Sequence, residues 1–95
     1  MKIEISSLGI LQDYLSTAGK EVQFEEYEKL KVREILQILK RRWGKDFYEQ
    51  VIEGENIKKQ IVILLNGLSI AMKSGLETEV KDGDRLTFAV FISGG

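Results

Sequence analysis

The sequence predicts an α+β fold, a mixed sheet of about five strands crossed by one main helix. Three observations carry that prediction. Two alternating segments stand close together near the start, Lys2 to Ser6 and Glu21 to Glu25. A single strong helical stripe follows at Val32 to Trp43. The second half then returns to strand character, with the apolar run Ile61 to Leu65, an Asn66-Gly67 turn, and a last strand from Arg85 to Phe91. A hairpin, one right-handed crossover and the remaining strands close most simply on one sheet.

Taken in order, Lys2 to Ser6 puts Ile3 and Ile5 on one face and Lys2 and Glu4 on the other, the pattern of a half-buried strand. Leu8 to Ala18 is a connecting segment, in which Leu8, Leu11 and Leu15 have the spacing of a short helical turn. Gly19-Lys20 turns the chain, and Glu21 to Glu25 alternates again with Val22 and Phe24 inward. The two strands predict an amino-terminal hairpin. In Val32 to Trp43 the residues Val32, Ile35, Leu36, Leu39 and Trp43 share one stripe, with Lys31, Arg33, Glu34, Gln37, Lys40 and Arg41 outside it. Gly44 suits the position after the helix, and Lys40, Arg41 and Arg42 suit the negative end of its dipole. No Ser, Thr or Asp precedes Val32 as a cap.

Asp46 to Ile52 predicts a second helical turn, capped by Asp46, with Phe47 and Val51 inward; Gly54-Glu55-Asn56 ends it. Ile61 to Leu65 is apolar throughout and predicts a central strand. Asn66-Gly67 is the strongest short signal for a two-residue hairpin turn. Leu68 to Met72 is then a shorter return strand, Lys73 to Lys81 a loop anchored by Leu76 and Val80, and Asp82-Gly83-Asp84 a turn into the last strand. The whole of residues 1–95 is expected to form one domain with a flexible tail at 92–95.

Composition narrows the chemistry. The chain has 95 residues, 43% of them apolar and 31% charged, with a net charge of -1. A chain of this size buries roughly 60–70% of its unfolded surface, enough for one core. The near-neutral charge gives no reason to expect nucleic acid as a partner. No apolar run approaches the ~20 residues of a membrane span. The opening residues alternate and carry Glu4 early, unlike a signal peptide, so a cytoplasmic location is expected. There is no His and no Cys, which removes imidazole catalysis, thiol nucleophiles and zinc sites of the usual ligands. No Gly-rich phosphate loop is present. The paired carboxylates Glu25-Glu26 and Glu53/Glu55 read as solvated surface charge, and Arg41-Arg42 as the cationic end of a helix. What remains is the end of the sequence, Ile92-Ser93-Gly94-Gly95, where two residues without side chains precede a carboxylate.

One face of the sheet raises a question. Ile61, Ile63 and Leu65 point one way and Val62 and Leu64 the other. A single helix covers one face only. The other face gathers Val62 and Leu64 near Ala89 or Phe91. Either this is a docking surface beside the tail, or the segment Leu8 to Ala18 covers it.

The order of elements is the β-grasp arrangement of ubiquitin. The chain resembles the MoaD/ThiS-type sulfur carriers, the ubiquitin-like proteins that include the small subunit of molybdopterin synthase and the ubiquitin-related modifiers. The residues that carry the resemblance are Leu64-Leu65-Asn66-Gly67, Gly75-Leu76-Glu77-Thr78, Lys81-Asp82-Gly83-Asp84, Phe88 and Ser93-Gly94-Gly95, with Phe47 to Val51 at the family's second helical turn. The most specific part is the Asp-Gly-Asp turn at this distance from a Gly-Gly end. The chain also departs from the family. Val90-Phe91 stands where Pro-Pro usually precedes the tail, Ala89 where a second aromatic follows Phe88, and Ser6 where an aromatic ends the first strand. Those aromatics help molybdopterin-type carriers dock on the large subunit, so the departures bear on that partner and leave the tail chemistry untouched.

The resemblance implies a carrier and not an enzyme. A ubiquitin-activating-type adenylating enzyme would use ATP to adenylate Gly95, and a persulfide sulfurtransferase would supply sulfur to form a thiocarboxylate. No bound cofactor and no metal are implied for the chain itself. Gly94, Ser93 and Ile92 would thread the tail into a narrow cleft, where a Cβ would clash. Ser93 and Ile92 equally suit the frayed end of a strand. The sulfur would feed molybdenum or tungsten cofactor, thiamine or tRNA thiolation, with a molybdopterin synthase large subunit among the candidate partners. The same activated end also serves a protein modifier joined through Gly95 to lysines of conjugation targets. A third reading is an interaction domain whose final Ser-Gly-Gly is incidental. The Asp82-Gly83-Asp84 turn is expected to be structural, since Asp and Gly are what a tight turn favours.

Overall fold

The computed structural model describes residues 1–90. The chain opens with an antiparallel hairpin, β1 (Lys2–Leu8) and β2 (Lys20–Gln23), in which Ile3 faces Val22 and Ile5 faces Lys20. A short strand β3 (Lys29–Lys31) leads directly into helix α1 (Val32–Trp43), and α2 (Lys45–Val51) follows across Gly44. Next come the small hairpin β4 (Ile52–Glu53) and β5 (Asn56–Ile57), then β6 (Ile61–Leu65), β7 (Leu68–Ser69), β8 (Glu79–Lys81) and β9 (Arg85–Val90). The main sheet runs β2-β1-β9-β6-β7. Strand β9 lies in its middle, parallel to β1 and antiparallel to β6. This is the β-grasp fold, with the helices packed on one face of the sheet. Among the described residues no helix is long and apolar enough to cross a membrane.

The helix boundaries follow from local chemistry. Without a hydroxyl or carboxylate cap, α1 starts at Val32 because Glu34 reaches back and accepts the Lys31 N–H at 2.8 Å. One amide that the first turn leaves unpartnered is thereby satisfied. Val32, Ile35, Leu36 and Leu39 are buried against the sheet. The chain leaves α1 at Gly44 with φ 104°.

The core joins that stripe to Ile3, Ile5, Phe24, Phe47, Ile63, Leu86 and Phe88, each less than 2% exposed. Phe47 stands edge-on to Phe88 at 6.0 Å and to Trp43 at 5.0 Å. Trp43 differs from the expected core residue. It is half-buried, stacked on Tyr14 at 6.3 Å, with the Lys20 ammonium 4.7 Å from the ring centre.

Several local expectations need correction. Helix α2 begins at Lys45, so Asp46 sits inside its first turn and makes no cap bond. The return strand after Asn66-Gly67 is only two residues long. Ser69 then accepts the Ala71 N–H at 3.2 Å and opens a 3₁₀ turn, Ile70–Met72. The expected loop 73–81 contains a second 3₁₀ turn, Gly75–Glu77, and β8, whose Val80 pairs with Leu30 of β3. The apolar strand β6 is flanked on both sides, but the middle of the sheet belongs to β9. Leu8 belongs to β1 and is 47% exposed, while Leu11 and Leu15 are buried as anchors of the connecting segment.

Candidate functional site

Strand β9 organises the site because it leads to the end of the sequence. Its alternation sends Leu86 and Phe88 into the core and Thr87 and Ala89 to the outer face. Register then fixes which neighbours stand beside them. Leu8 of β1 and Val62 of β6 flank Ala89, forming one apolar row across three strands. Ser6 and Leu64 flank Thr87 in the next row, where the Ser6 and Thr87 hydroxyls are 2.9 Å apart. Glu4 and Arg85 form the third row and pair at 3.5 Å. The outer face thus grades from charged through hydroxyl to apolar along β9. Its apolar end is the end from which the chain runs on toward Gly95.

The structure therefore brings together Val62, Leu64 and Ala89, all half-buried. The sequence-predicted Phe91, Ile92, Ser93, Gly94 and Gly95 lie outside the described residues. Of the segment Leu8 to Ala18, Leu8 itself joins the row and Ile10 packs against the core. Leu11 and Leu15 turn into the core, and Tyr14 packs on Trp43 and Phe47 on the helix side. The segment also reaches the outer face at Arg85, whose guanidinium donates to the Thr17 carbonyl at 3.4 Å. Leu8 is the member of the row that sequence reasoning missed. Ser6-Ser7 interrupts the alternation before it, so only strand register could have placed it.

The opposite end of β9 is held by polar chemistry. Gly83 takes φ 87°, which favours a residue without a Cβ, and lets the turn fold back tightly. Asp84 is 7% exposed, and its carboxylate accepts from Asn66 Nδ2 at 3.0 Å and from the Lys81 N–H at 2.9 Å. Asn66 Oδ1 accepts the Arg85 N–H at 2.9 Å. Asp82 accepts the Lys2 N–H at 2.7 Å. Both aspartates are thus occupied within the fold, in agreement with a structural turn. Asn66 also serves the β6–β7 turn, with φ 51° beside Gly67 at φ 87°, the positive pair of a type I′ hairpin.

With this geometry in hand, the likeness to known proteins is decisive. Residues 9–95 match the sequence model of the ThiS family.

The chain belongs to the ThiS family.

It is thus a ubiquitin-like sulfur carrier of the MoaD/ThiS type, a carrier protein and not a catalyst. A candidate sulfur carrier protein of Archaeoglobus fulgidus is 32% identical over 68 residues, covering 72% of this chain and 77% of that one. The structure superposes on a chain of the Amycolatopsis orientalis BexX/CysO complex with a TM-score of 0.74 and 28% identity, covering 98% of this chain and 99% of the other. It also matches the small archaeal modifier protein 1 of Methanosarcina acetivorans, with a TM-score of 0.66, 25% identity, and coverage of 99% and 96%. Family members and neighbours therefore include both carriers and a modifier.

Proposed function

We propose that this protein carries sulfur as a thiocarboxylate on Gly95. A ubiquitin-activating-type enzyme joins the Gly95 carboxylate to the α-phosphate of ATP, releasing pyrophosphate and leaving an acyl-adenylate. The terminal sulfur of a persulfide attacks the acyl carbon and expels AMP. A thiol then cleaves the resulting S–S bond and frees the thiocarboxylate. Sulfur is a better nucleophile than oxygen, so the loaded end can attack an electrophilic acceptor in molybdenum or tungsten cofactor synthesis or another thiolation pathway. Gly94, Ser93 and Ile92 thread the tail, and the Leu8, Val62, Leu64 and Ala89 surface meets the activating enzyme.

The observation that carries this reading is a family match that runs through Ser93-Gly94-Gly95, downstream of a strand whose outer side ends in an apolar row. Intact-mass measurement tests it. Protein incubated with its activating enzyme, ATP and a persulfide donor gains the mass of one sulfur exchanged for one oxygen, localised to Gly95. Plain carboxylate under those conditions overturns the reading. The same measurement on protein from its native host shows whether the chain ends at Gly95.

The likeness to a small archaeal modifier favours a second reading, conjugation through Gly95 to lysines of other proteins. Both fates use the same acyl-adenylate. Lysine-linked adducts that vanish when Gly95 is deleted would establish it.

A further inference from the structure

Strand β7 pairs only with Leu64 and Leu65 of β6. Alongside Ile61 to Ile63 the structure has an open cavity of about 270 Å³ in place of a neighbouring strand. Ile57, Val62, Ile70 and Ala71 supply its apolar lining, and its charged lining residues are Lys58 and Lys59. Lys58 is half-buried and Lys59 exposed, and neither pairs with a described carboxylate. An aliphatic lining with two cations and no carboxylate suits an apolar segment that carries a negative charge.

The chain holds such a segment close by. Val90, the last described residue, pairs with Ile61 at the start of β6. The residues after it, Phe91-Ile92-Ser93-Gly94-Gly95, supply two apolar side chains and then the Gly95 carboxylate. Passing from β9 across β6 to the cavity spans two strand spacings, about 10 Å. Five residues extend to about 17 Å at most, so the segment reaches with length left for a turn. Val62 lines the cavity and also belongs to the outer apolar row, which joins the two surfaces.

We propose that this cavity is a binding site for the chain's own carboxy-terminal segment. Ile92 enters the aliphatic lining, and the Gly95 carboxylate pairs with Lys58 and Lys59. The contact is reversible, because ion pairs at a solvated rim are weak. While docked, the segment covers Val62 and withholds Gly95. On the function proposed above, the activating enzyme competes for Val62, so its docking shifts the segment to the free state and releases the end that it adenylates.

The test compares the ¹⁵N-labelled full chain with the chain stopped at Val90 and with the full chain carrying Gly95 as a carboxamide. No enzyme or sulfur donor is present, so failure here leaves the carrier reading standing, and failed sulfur loading leaves this contact standing. Stopping at Val90 should move the Ile57, Ile70 and Ala71 amides, none of which pairs with β9. The full chain should show Overhauser contacts from Ile92 to Ile57 and Ala71. The carboxamide should lower the ratio of docked to free segment about two- to fivefold, read from where the Ala71 amide falls between its positions in the full and shortened chains. Lys58→Glu combined with Lys59→Glu should lower it at least as far. An Ala71 amide unmoved by the truncation, or a carboxamide that docks as fully as the acid, would overturn the proposal. So would shifts that fade on dilution, which would assign the bound segment to a second copy.

Discussion

Where β9 begins, the turn is fixed by hydrogen bonds. A buried aspartate joins two loops, a second aspartate holds the first strand, and Asn66 bonds to both sides of the gap. Where β9 finishes, the outer face carries Leu8, Ala89 and Val62 side by side, and Leu8 is 47% exposed. One end satisfies its own polar groups, and the other leaves apolar surface open to a partner. The two ends share a strand, so the contrast teaches how a small carrier separates its tasks. Polar anchoring is concentrated where β9 begins, and apolar surface where β9 runs on in sequence toward Gly95. Substitutions at the two ends should therefore fail in different assays.

The largest effect is expected at the tail. On the proposed function, Gly94→Ala adds a Cβ to a segment that enters another protein's cleft. Misplacing the reacting carboxylate costs on the order of a hundredfold in the rate of thiocarboxylate formation, with the thermal midpoint unchanged. Mass spectrometry reads the first quantity and calorimetry the second. A variant with a lowered midpoint and normal loading would break the separation of tasks.

Asp84→Ala is the mirror experiment. Its removal leaves Asn66 Nδ2 and the Lys81 N–H without their acceptor at a site where the carboxylate is 7% exposed. A loss of about 2–4 kcal/mol in urea unfolding is expected. Sulfur loading per folded molecule should stay at the unsubstituted level.

Local chemistry made most of this architecture legible. The helix Val32–Trp43 and the Asn66-Gly67 turn were readable because each rests on contacts within a few residues, and the first hairpin because each of its strands alternates by itself. The Asp-Gly-Asp turn was readable for the same reason. The failures were non-local. Strands β3 and β8 are three residues each and pair across the chain through Leu30 and Val80, which no short window can register. The two-residue strand β7 stopped early because the Ser69 hydroxyl competes for the backbone and starts a 3₁₀ turn. The site was legible in part. Alternation placed Val62, Leu64 and Ala89 outward, but Leu8 joined them only through its register with β9.

Leu8→Asp probes that register. The side chain is half in water, so folding stability should change by less than about 0.5 kcal/mol. A charge in the apolar row should raise the activating enzyme's KM about five- to tenfold, the cost of a moderate interface contact. Steady-state kinetics with carrier as the varied substrate checks it. An unchanged KM would move the docking surface off the outer face.

The smallest effect is expected at Asp82, and it sharpens the comparison most finely. Asp82 and Asp84 are the same residue type in the same turn, and each accepts backbone N–H bonds. They differ in solvent. Asp82 is exposed, and its one partner, the Lys2 N–H, finds water once the carboxylate is gone. Asp84 is buried, and its carboxylate makes both of its bonds in a part-buried setting. Asp82→Ala should therefore cost only about 0.5–1 kcal/mol in urea unfolding, near the net worth of a solvated hydrogen bond. A loss equal to that of Asp84→Ala would mean that the turn acts as one cooperative network, with burial of the individual carboxylate irrelevant. A smaller loss confirms that desolvation around Asp84, and not turn formation itself, holds the start of β9 in place.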